Sequence, residues 1–380
     1  MCADRDFDIR NFGAVADGKT DCTVAIQNAL DAAGQVQGTV YVPHGEFACS
    51  GLKMHPRTGL RGDPAWTFKL YGGSALKLID PDARCMVDIT DAIGATVHGL
   101  CLNGSNLGKH IHGVMLSRPE FPSVQEPTAQ EDTPRIERCK IGHFSGNGIH
   151  LEWVWCFSIR HCMSFANGGD GIWLKGCDGF VLDNWLSCNA RAGFAAREHN
   201  AAVTMMGNRI EWNRQAGILS LGGSNYNVTS NYVDRAGGAG IRFSRRGQTP
   251  PGMSTLTGNV IWRSGNPDWG CKDDDPYESC HIRLEGAHGF AVTSNSMNAA
   301  KDYRGSMNSA TEFEGRGEYS PDYGMVLQGL TNTVVRDNVL HQAALKECVV
   351  DLGGHGEGVI IKDNPGSIFV PGVTPETLMY

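Results

Sequence analysis

What this chain has little of narrows it first. Only 19% of its 380 residues carry charge, and the balance is acidic at −8, which argues against a dedicated nucleic-acid binder. No apolar run approaches the roughly 20 residues that span a bilayer, so no membrane partner is expected. No basic-then-apolar leader opens the sequence. A trimmed leader would look the same, so export stays open, with a secreted or periplasmic setting slightly favoured. The 13 cysteines include no Cys-x-x-Cys pair, so the usual zinc and dithiol signatures are missing. Cys139, Cys162 and Cys188 sit in apolar, strand-like runs and read as buried free thiols. Cys271 and Cys280 bracket an acidic loop, where a disulfide would require export; free thiols are the preferred reading. Helical periodicity is scarce too. Residues 23 to 33 form the one convincing helix, with Val24, Ile26, Ala29, Leu30 and Ala33 on one face and Asp21 or Thr23 able to cap it.

Glycine, by contrast, is abundant and evenly spread: 49 residues, as a fold with frequent tight turns requires. From about residue 149 a short pattern recurs, in which a turn glycine precedes an apolar-x-apolar triplet. The triplets begin at Ile149, Ile172, Phe194, Ile218, Ile241, Ile282, Met325 and Val350, and Gly148, Gly171, Gly193, Gly217, Gly240 and Gly324 stand immediately before six of them. A second strand in each repeat ends in asparagine: Asn184, Asn208, Asn231, Asn259, Asn295, Asn338 and Asn364, with His161 holding the slot one coil earlier. The first gaps are 24, 23 and 28 residues, the period of a three-stranded coil. Asparagine tolerates left-handed backbone, and its amide can bond the copies above and below. Period-two strands exclude helical repeats, and a propeller needs about twice this period. The expected fold is all-β: a parallel β-helix of about ten coils. The boundaries expected are an N-terminal cap with its helix over 1–45, the β-helix over 46–365 and a tail over 366–380.

The run Asn11-Phe12-Gly13-Ala14-Val15-Ala16-Asp17-Gly18-Lys19-Thr20-Asp21, followed by the helix and then Gly38-Thr39-Val40-Tyr41-Val42-Pro43-His44-Gly45, resembles the N-terminal signature of the pectate-lyase-like superfamily. With the coils, the resemblance covers roughly residues 8 to 365. It implies a single-stranded right-handed parallel β-helix, an N-terminal capping helix and action on a carbohydrate. Members include polysaccharide lyases, glycoside hydrolases, sugar epimerases, fructan-cleaving transferases and phage tailspikes, so the resemblance names a substrate class rather than a reaction. Side-by-side trimers are common among such proteins, and a homotrimer is possible here. Gly354-His355-Gly356 resembles part of the polygalacturonase-like signature, but lacks its acidic partners and reads as a turn. Asp178 fits one slot of the fructan-cleaving branch, whereas Asn189 stands where that branch carries Glu.

Four insertions, 118–134, 245–253, 264–281 and 299–323, fall on either side of the glycine-led strands and are expected to wall a groove across one sheet. Residues projecting from its floor are His150 and Glu152, Trp173 and Lys175, Arg197, Arg242, and Arg283 with Glu285; Asp170 and Glu198 lie beside them. Coils stack about 4.8 Å apart, so Glu152, Lys175 and Arg197 are expected to form one cluster, with Trp173 as a stacking platform for a sugar. Eliminative cleavage of a uronate needs a base for the α-carbon proton and a cation or metal for the carboxylate-derived anion, and Lys175, Arg197, His150 and Arg242 could supply both. Hydrolysis instead needs two carboxyls roughly 5 to 9.5 Å apart, for which Glu152 with Asp170, or Asp178 with Glu198, are candidates. The leading expectation is a polysaccharide lyase with Lys175, Arg197, Glu152, Asp170 and Asp178 as catalytic candidates. His150, Trp173, Glu198, Arg242, Arg283 and Glu285 are the substrate-binding candidates. Alternatives are a hydrolase or intramolecular transferase using an Asp/Glu pair, and a non-enzymatic glycan-binding or tailspike-like protein. No cofactor is expected. Calcium is possible at Asp273-Asp274-Asp275, although a solvated acidic loop is preferred.

Overall fold

The computed structural model describes residues 6–68, 70–121, 130–266, 275–301 and 319–374. They fall into two compact units, Met1–Trp185 and Leu186–Tyr380, and each is a stack of right-handed parallel β-helical coils.

In the first unit the helix runs over Thr23–Val36 and buries Ile26, Ala29, Leu30 and Ala33. Val24, expected on that face, is 72% exposed, because the helix turns it away from the strands. Asp21 accepts from the Thr23 N–H at 2.9 Å, which satisfies one free donor of the first turn. The helix packs on strands Asp6–Asp8, Thr39–Val42 and Leu52–Lys53, and so caps the N-terminal coils. The Asp17–Gly18 turn before it is structural. The Asp17 carboxylate accepts from the N–H groups of Lys19 and Thr20, and a Cβ at Gly18 would lie 2.2 Å from Glu46 Oε1.

Each coil contributes to three parallel ladders. In the first unit one ladder joins Cys85–Asp88, His112–Ser117 and the starts of Ile149–Arg160 and Ile172–Leu182. A second joins Thr96–His98, Arg135–Glu137 and residues 158–160. A third runs from Gly45–Cys49 through Ser74–Leu78, Leu100–Asn103 and Lys140–Gly142 to Met163–Phe165. The second unit repeats this from Phe194–Ala196 onward, and its last strand among the described residues is Gly366–Ile368, within the stretch expected as a tail.

The asparagines form the expected ladder. In the second unit Asn208 Nδ2 donates to Asn231 Oδ1 at 2.8 Å, and the relay continues through Asn259, Asn295 and Asn338 to Asn364 at 2.8–3.0 Å. The second amide proton of Asn231 goes to Met205 O at 3.0 Å, and Asn259, Asn295 and Asn338 do the same with Val228, Leu256 and Val292, so buried amides find partners on both sides. In the first unit the slot before Asn184 is Cys162, not His161: the Cys162 N–H donates to Asn184 Oδ1 at 3.0 Å. His161 sits one residue earlier, exposed and left-handed at φ 52°. The Cys162 thiol donates to Ile136 O at 3.3 Å, and the Cys139 thiol below it to Val97 O at 3.6 Å, as the Asn184 amide does to Ile159 O. Thiols therefore continue the ladder where asparagine stops. Asn189, at the position where the fructan-cleaving branch carries Glu, is wholly buried in a parallel ladder of its own, donating to Asn213 Oδ1 at 2.9 Å.

Candidate functional site

In-register pairing on the first ladder stacks outward residues of successive coils. Ser117 aligns with Glu152, and Glu152 with Lys175. Lys175 Nζ lies 3.3 Å from Glu152 Oε1, and Ser117 Oγ donates to Glu152 Oε2 at 2.8 Å. The side chains of Lys175 and Glu152 keep 13% and 26% of their surface exposed, so the pair is reachable but largely desolvated.

The register shifts by one residue between Glu152 and Val154. This bulge throws Trp153 outward at φ 61°, and its ring comes to lie under the Lys175 ammonium, 4.4 Å from the ring centroid. Phe121 packs edge-on against Trp153 at 6.1 Å and lies 6.3 Å from the Trp155 ring. Asp178 accepts from Trp155 Nε1 at 3.0 Å. Asp132, nearly buried, takes both Arg118 and the Trp155 N–H, the latter at 2.7 Å. A carboxylate, an ammonium and an aromatic wall are thus held together. Sequence reasoning missed Trp153 and Trp155. Their signal was an aromatic-rich strand, residues 152–157, that breaks the alternation of its neighbours.

Beside this pair, His112, His150 and Trp173 form a stack. His150 lies 4.3 Å from His112 at an interplanar angle of 21°, and 4.3 Å from Trp173 at 3°. Burial pushes His112 down to about 3 and His150 down to about 4, so both imidazoles are neutral near pH 7. The Asn147 amide lies 2.9 Å from His150 Nδ1, and the Asn147 N–H donates to His112 Nδ1 at 2.9 Å. Trp173 is therefore a different platform from the one expected: one ring face is covered by His150, because in-register rings stack on each other. Asp170 also departs from expectation. It is wholly buried, at the turn before strand Ile172–Leu182, where its N–H donates to Asn147 Oδ1 at 2.8 Å. Its carboxyl is thus not presented to solvent as the expectation required.

In the second unit Arg197 is half-buried and donates to Gln215 at 3.1 Å, while Glu198 is exposed and its carbonyl accepts from Asn200 at 3.1 Å. Arg242 and Arg283 are stacked in register. Glu278, from the 264–281 insertion, separates their charges, 2.6 Å from Arg242 Nη1 and 3.4 Å from Arg283 Nη1. Asp275 also pairs with Arg283, and Glu285 stands 3.9 Å from it. Against the lowering effect of its burial, Asp275 and Glu278 hold Arg283 above its ordinary range, and the two arginines are anchored internally rather than presented bare to a ligand. Glu278 was not singled out from sequence, since nothing in its loop fixes which acid turns inward. Asp273, Asp274 and Cys271 lie outside the described residues. Gly354-His355-Gly356 is a turn: His355 Nδ1 accepts from the Leu330 N–H at 2.9 Å and Nε2 lies 2.8 Å from Asp351.

The right-handed parallel β-helix with its N-terminal capping helix is of the pectate-lyase-like class. Residues 7–219 match the model of the family described as rhamnogalacturonase A/epimerase, pectate lyase-like, and the chain belongs to that family. Among curated relatives, alginate lyase 7 of Azotobacter vinelandii is 53% identical over 211 residues, covering 50% of this chain and 23% of that protein. Mannuronan C5-epimerase AlgE1 of the same organism is 51% identical over 234 residues, covering 58% and 16%. The chain thus spans less than a quarter of either relative. Among solved structures, DFA-IIIase from Arthrobacter chlorophenolicus superimposes with a TM-score of 0.64 at 12% identity, covering 94% of this chain and 93% of that one, a likeness of fold.

Proposed function

We propose that this protein is a carbohydrate-active enzyme that cleaves a uronate-containing polysaccharide by β-elimination at the Glu152–Lys175 site. The observation that carries the reading is the ion pair itself: a carboxylate and an ammonium 3.3 Å apart, on a sheet face beside Trp153. In the proposed reaction the sugar carboxylate takes the Lys175 ammonium, which neutralises it and stabilises negative charge that builds there. Glu152, released from the ion pair, accepts the proton from the carbon bearing the carboxylate. The electron pair left behind forms the new carbon–carbon double bond as the glycosidic carbon–oxygen bond breaks, and the departing oxygen takes a proton from solvent. Ser117 holds Glu152 in place through the second carboxylate oxygen. The kinship with an alginate lyase supports this reading and suggests alginate-type uronates as the first substrates to try.

A second reading has its own support in the resemblance to a mannuronan C5-epimerase. Epimerisation shares the proton abstraction but returns a proton to the opposite face instead of expelling the glycosidic oxygen. The homotrimer and the carbohydrate partner expected from sequence belong with these proposals.

The test is ultraviolet absorbance of the unsaturated uronate during incubation with alginate, pectic and glycosaminoglycan substrates. Glu152→Gln and Lys175→Met are each expected to lower the rate by about 100-fold or more while the melting temperature stays within a few degrees. Full activity in both variants would dismiss this site.

A further inference from the structure

The stretch between strands Gly59–Gly62 and Ser74–Leu78 is fastened to the flank of the first unit from within. Lys140, with no exposed surface, directs its ammonium to three main-chain carbonyls of this stretch: Thr67 O at 2.9 Å, Phe68 O at 3.0 Å and Leu70 O at 3.2 Å. That occupies all three donors of a lysine. The same ammonium stands 4.3 Å over the Tyr71 ring. Phe68 packs on Phe165 and Trp185, both at 4.9 Å, and Tyr71 Oη meets His143 Nδ1 at 2.6 Å. Pro64 and Gly73 close the base of the loop with an antiparallel bridge. Burying a cation is costly unless every donor is satisfied, so this fastening implies a loop that must hold its shape.

What the loop carries at the surface is Trp66. Its indole N–H donates to Arg138 O at 3.1 Å, which fixes the ring while leaving it half-exposed. The ring borders a cleft of about 370 Å³ lined by Pro64, Trp66, Arg138 and His161. Arg138 and His161 are exposed and occupy equivalent corners of successive coils, each left-handed, at φ 54° and 52°. The cleft shares no residue with the Glu152–Lys175 site. It opens at the turn into the third ladder, not on the sheet face that carries Glu152.

We propose that this cleft is a second saccharide-binding site, separate from the catalytic pair, that takes a carboxylate-bearing sugar ring. The Trp66 face supplies a rigid apolar platform for the ring, with little ordering entropy left to lose. The Arg138 guanidinium matches a carboxylate with two parallel donors, and His161 faces the ring hydroxyls or the same carboxylate. The volume suits one or two sugar units of a longer chain. Holding a polymer here raises its local concentration at the catalytic face. The inference rests on the uronate reading for the charge of the ligand, not for the existence of the cleft.

The experiment is calorimetric titration of the full chain with oligomannuronate, oligoguluronate and oligogalacturonate, with neutral cello-oligosaccharide as control. It is run on the wild type, on Lys175→Met, and on Trp66→Ala and Arg138→Gln in the Lys175→Met background. Acidic oligomers are expected to bind Lys175→Met, and Trp66→Ala and Arg138→Gln each to weaken that binding at least tenfold with unchanged circular dichroism melting. Acidic-oligomer binding indifferent to both substitutions, or no binding to Lys175→Met at all, would overturn the proposal. Binding of the neutral oligomer that depends on Trp66 but not Arg138 would overturn the charge assignment. Eliminase activity measured in parallel separates the two ideas. Activity without Trp66-dependent binding ends this inference alone, and Trp66-dependent binding without activity ends the lyase reading alone.

Discussion

Asn259 receives the Asn231 amide at 3.0 Å, gives one of its own protons to Asn295 at 2.9 Å and the other to Val228 O at 3.0 Å, all without solvent exposure. Removing its side chain strands the Asn231 backbone N–H and one Asn231 amide proton on one side, and takes a donor from Val228 O, each group costing about 1–3 kcal/mol when left unpaired. Asn259→Ala is therefore expected to destabilise the protein by about 3 kcal/mol in chemical denaturation. Asn259→Asp should be no better, since it loses both amide donors and buries a charge. A change below about 0.5 kcal/mol would show that the ladder is ornamental. The repeating asparagines were legible because one chemistry recurs in one frame. Trp153 was not, because an aromatic-rich run that breaks alternation does not say which ring the one-residue bulge turns outward. Glu278 was not either: a loop acid becomes a counter-ion only when folding brings Arg242 and Arg283 to it.

At the scale of the element, strand alternation alone names the outward residues of the glycine-led strands, and Glu152 and Lys175 do meet in register. What alternation could not give is how neighbouring outward rings share space. Trp173, expected to offer an open face, stacks on His150, and His150 on His112. The stack has a measurable consequence. Both imidazoles have folded values depressed by burial, His150 from 6.5 to about 4 and His112 from 6.5 to about 3. Below pH 6.5 the unfolded chain binds protons that the folded one refuses. The stabilising contribution is thus complete above pH 6.5 and is lost as the pH falls toward these folded values. Thermal melting is expected to be flat on this account from about pH 7 to 8 and to fall between about 6.5 and 4. His150→Phe, which keeps the stack but not the proton, should remove about 3 kcal/mol of that dependence. An identical slope in the variant would place the titration elsewhere. Placing the ladder slot at His161 rather than Cys162 exchanges an exposed corner for a buried thiol, because strand faces alternate.

At the scale of the whole molecule, the family is established, and the reaction is decided by the step after proton abstraction. Incubation of substrate in heavy water distinguishes the routes. Elimination predicts a rise in ultraviolet absorbance with no deuterium at the carboxylate-bearing carbon of recovered polymer. Epimerisation predicts deuterium there with little absorbance. Deuterium alone would move the assignment to the second reading and keep the Glu152–Lys175 site. Neither signal would return the chain to the hydrolase or transferase and binding-protein alternatives, which a reducing-end assay then separates.

The architecture follows from residue periodicity. A recurring glycine, triplet and asparagine at a period near 24 residues admits one solution, because only stacked parallel coils give each buried amide a partner above and below. The N-terminal helix and the rows of outward side chains came from the same periodicities. Which of those side chains are available to act depends on long-range packing. It buried Asp170, tied Arg242 and Arg283 to a loop carboxylate, covered one face of Trp173, and used Lys140 to fix Trp66 over its cleft. Each of these depends on contacts between residues far apart in the chain. Periodicity in sequence carries the strand and its face, and not the neighbour that a loop brings to it.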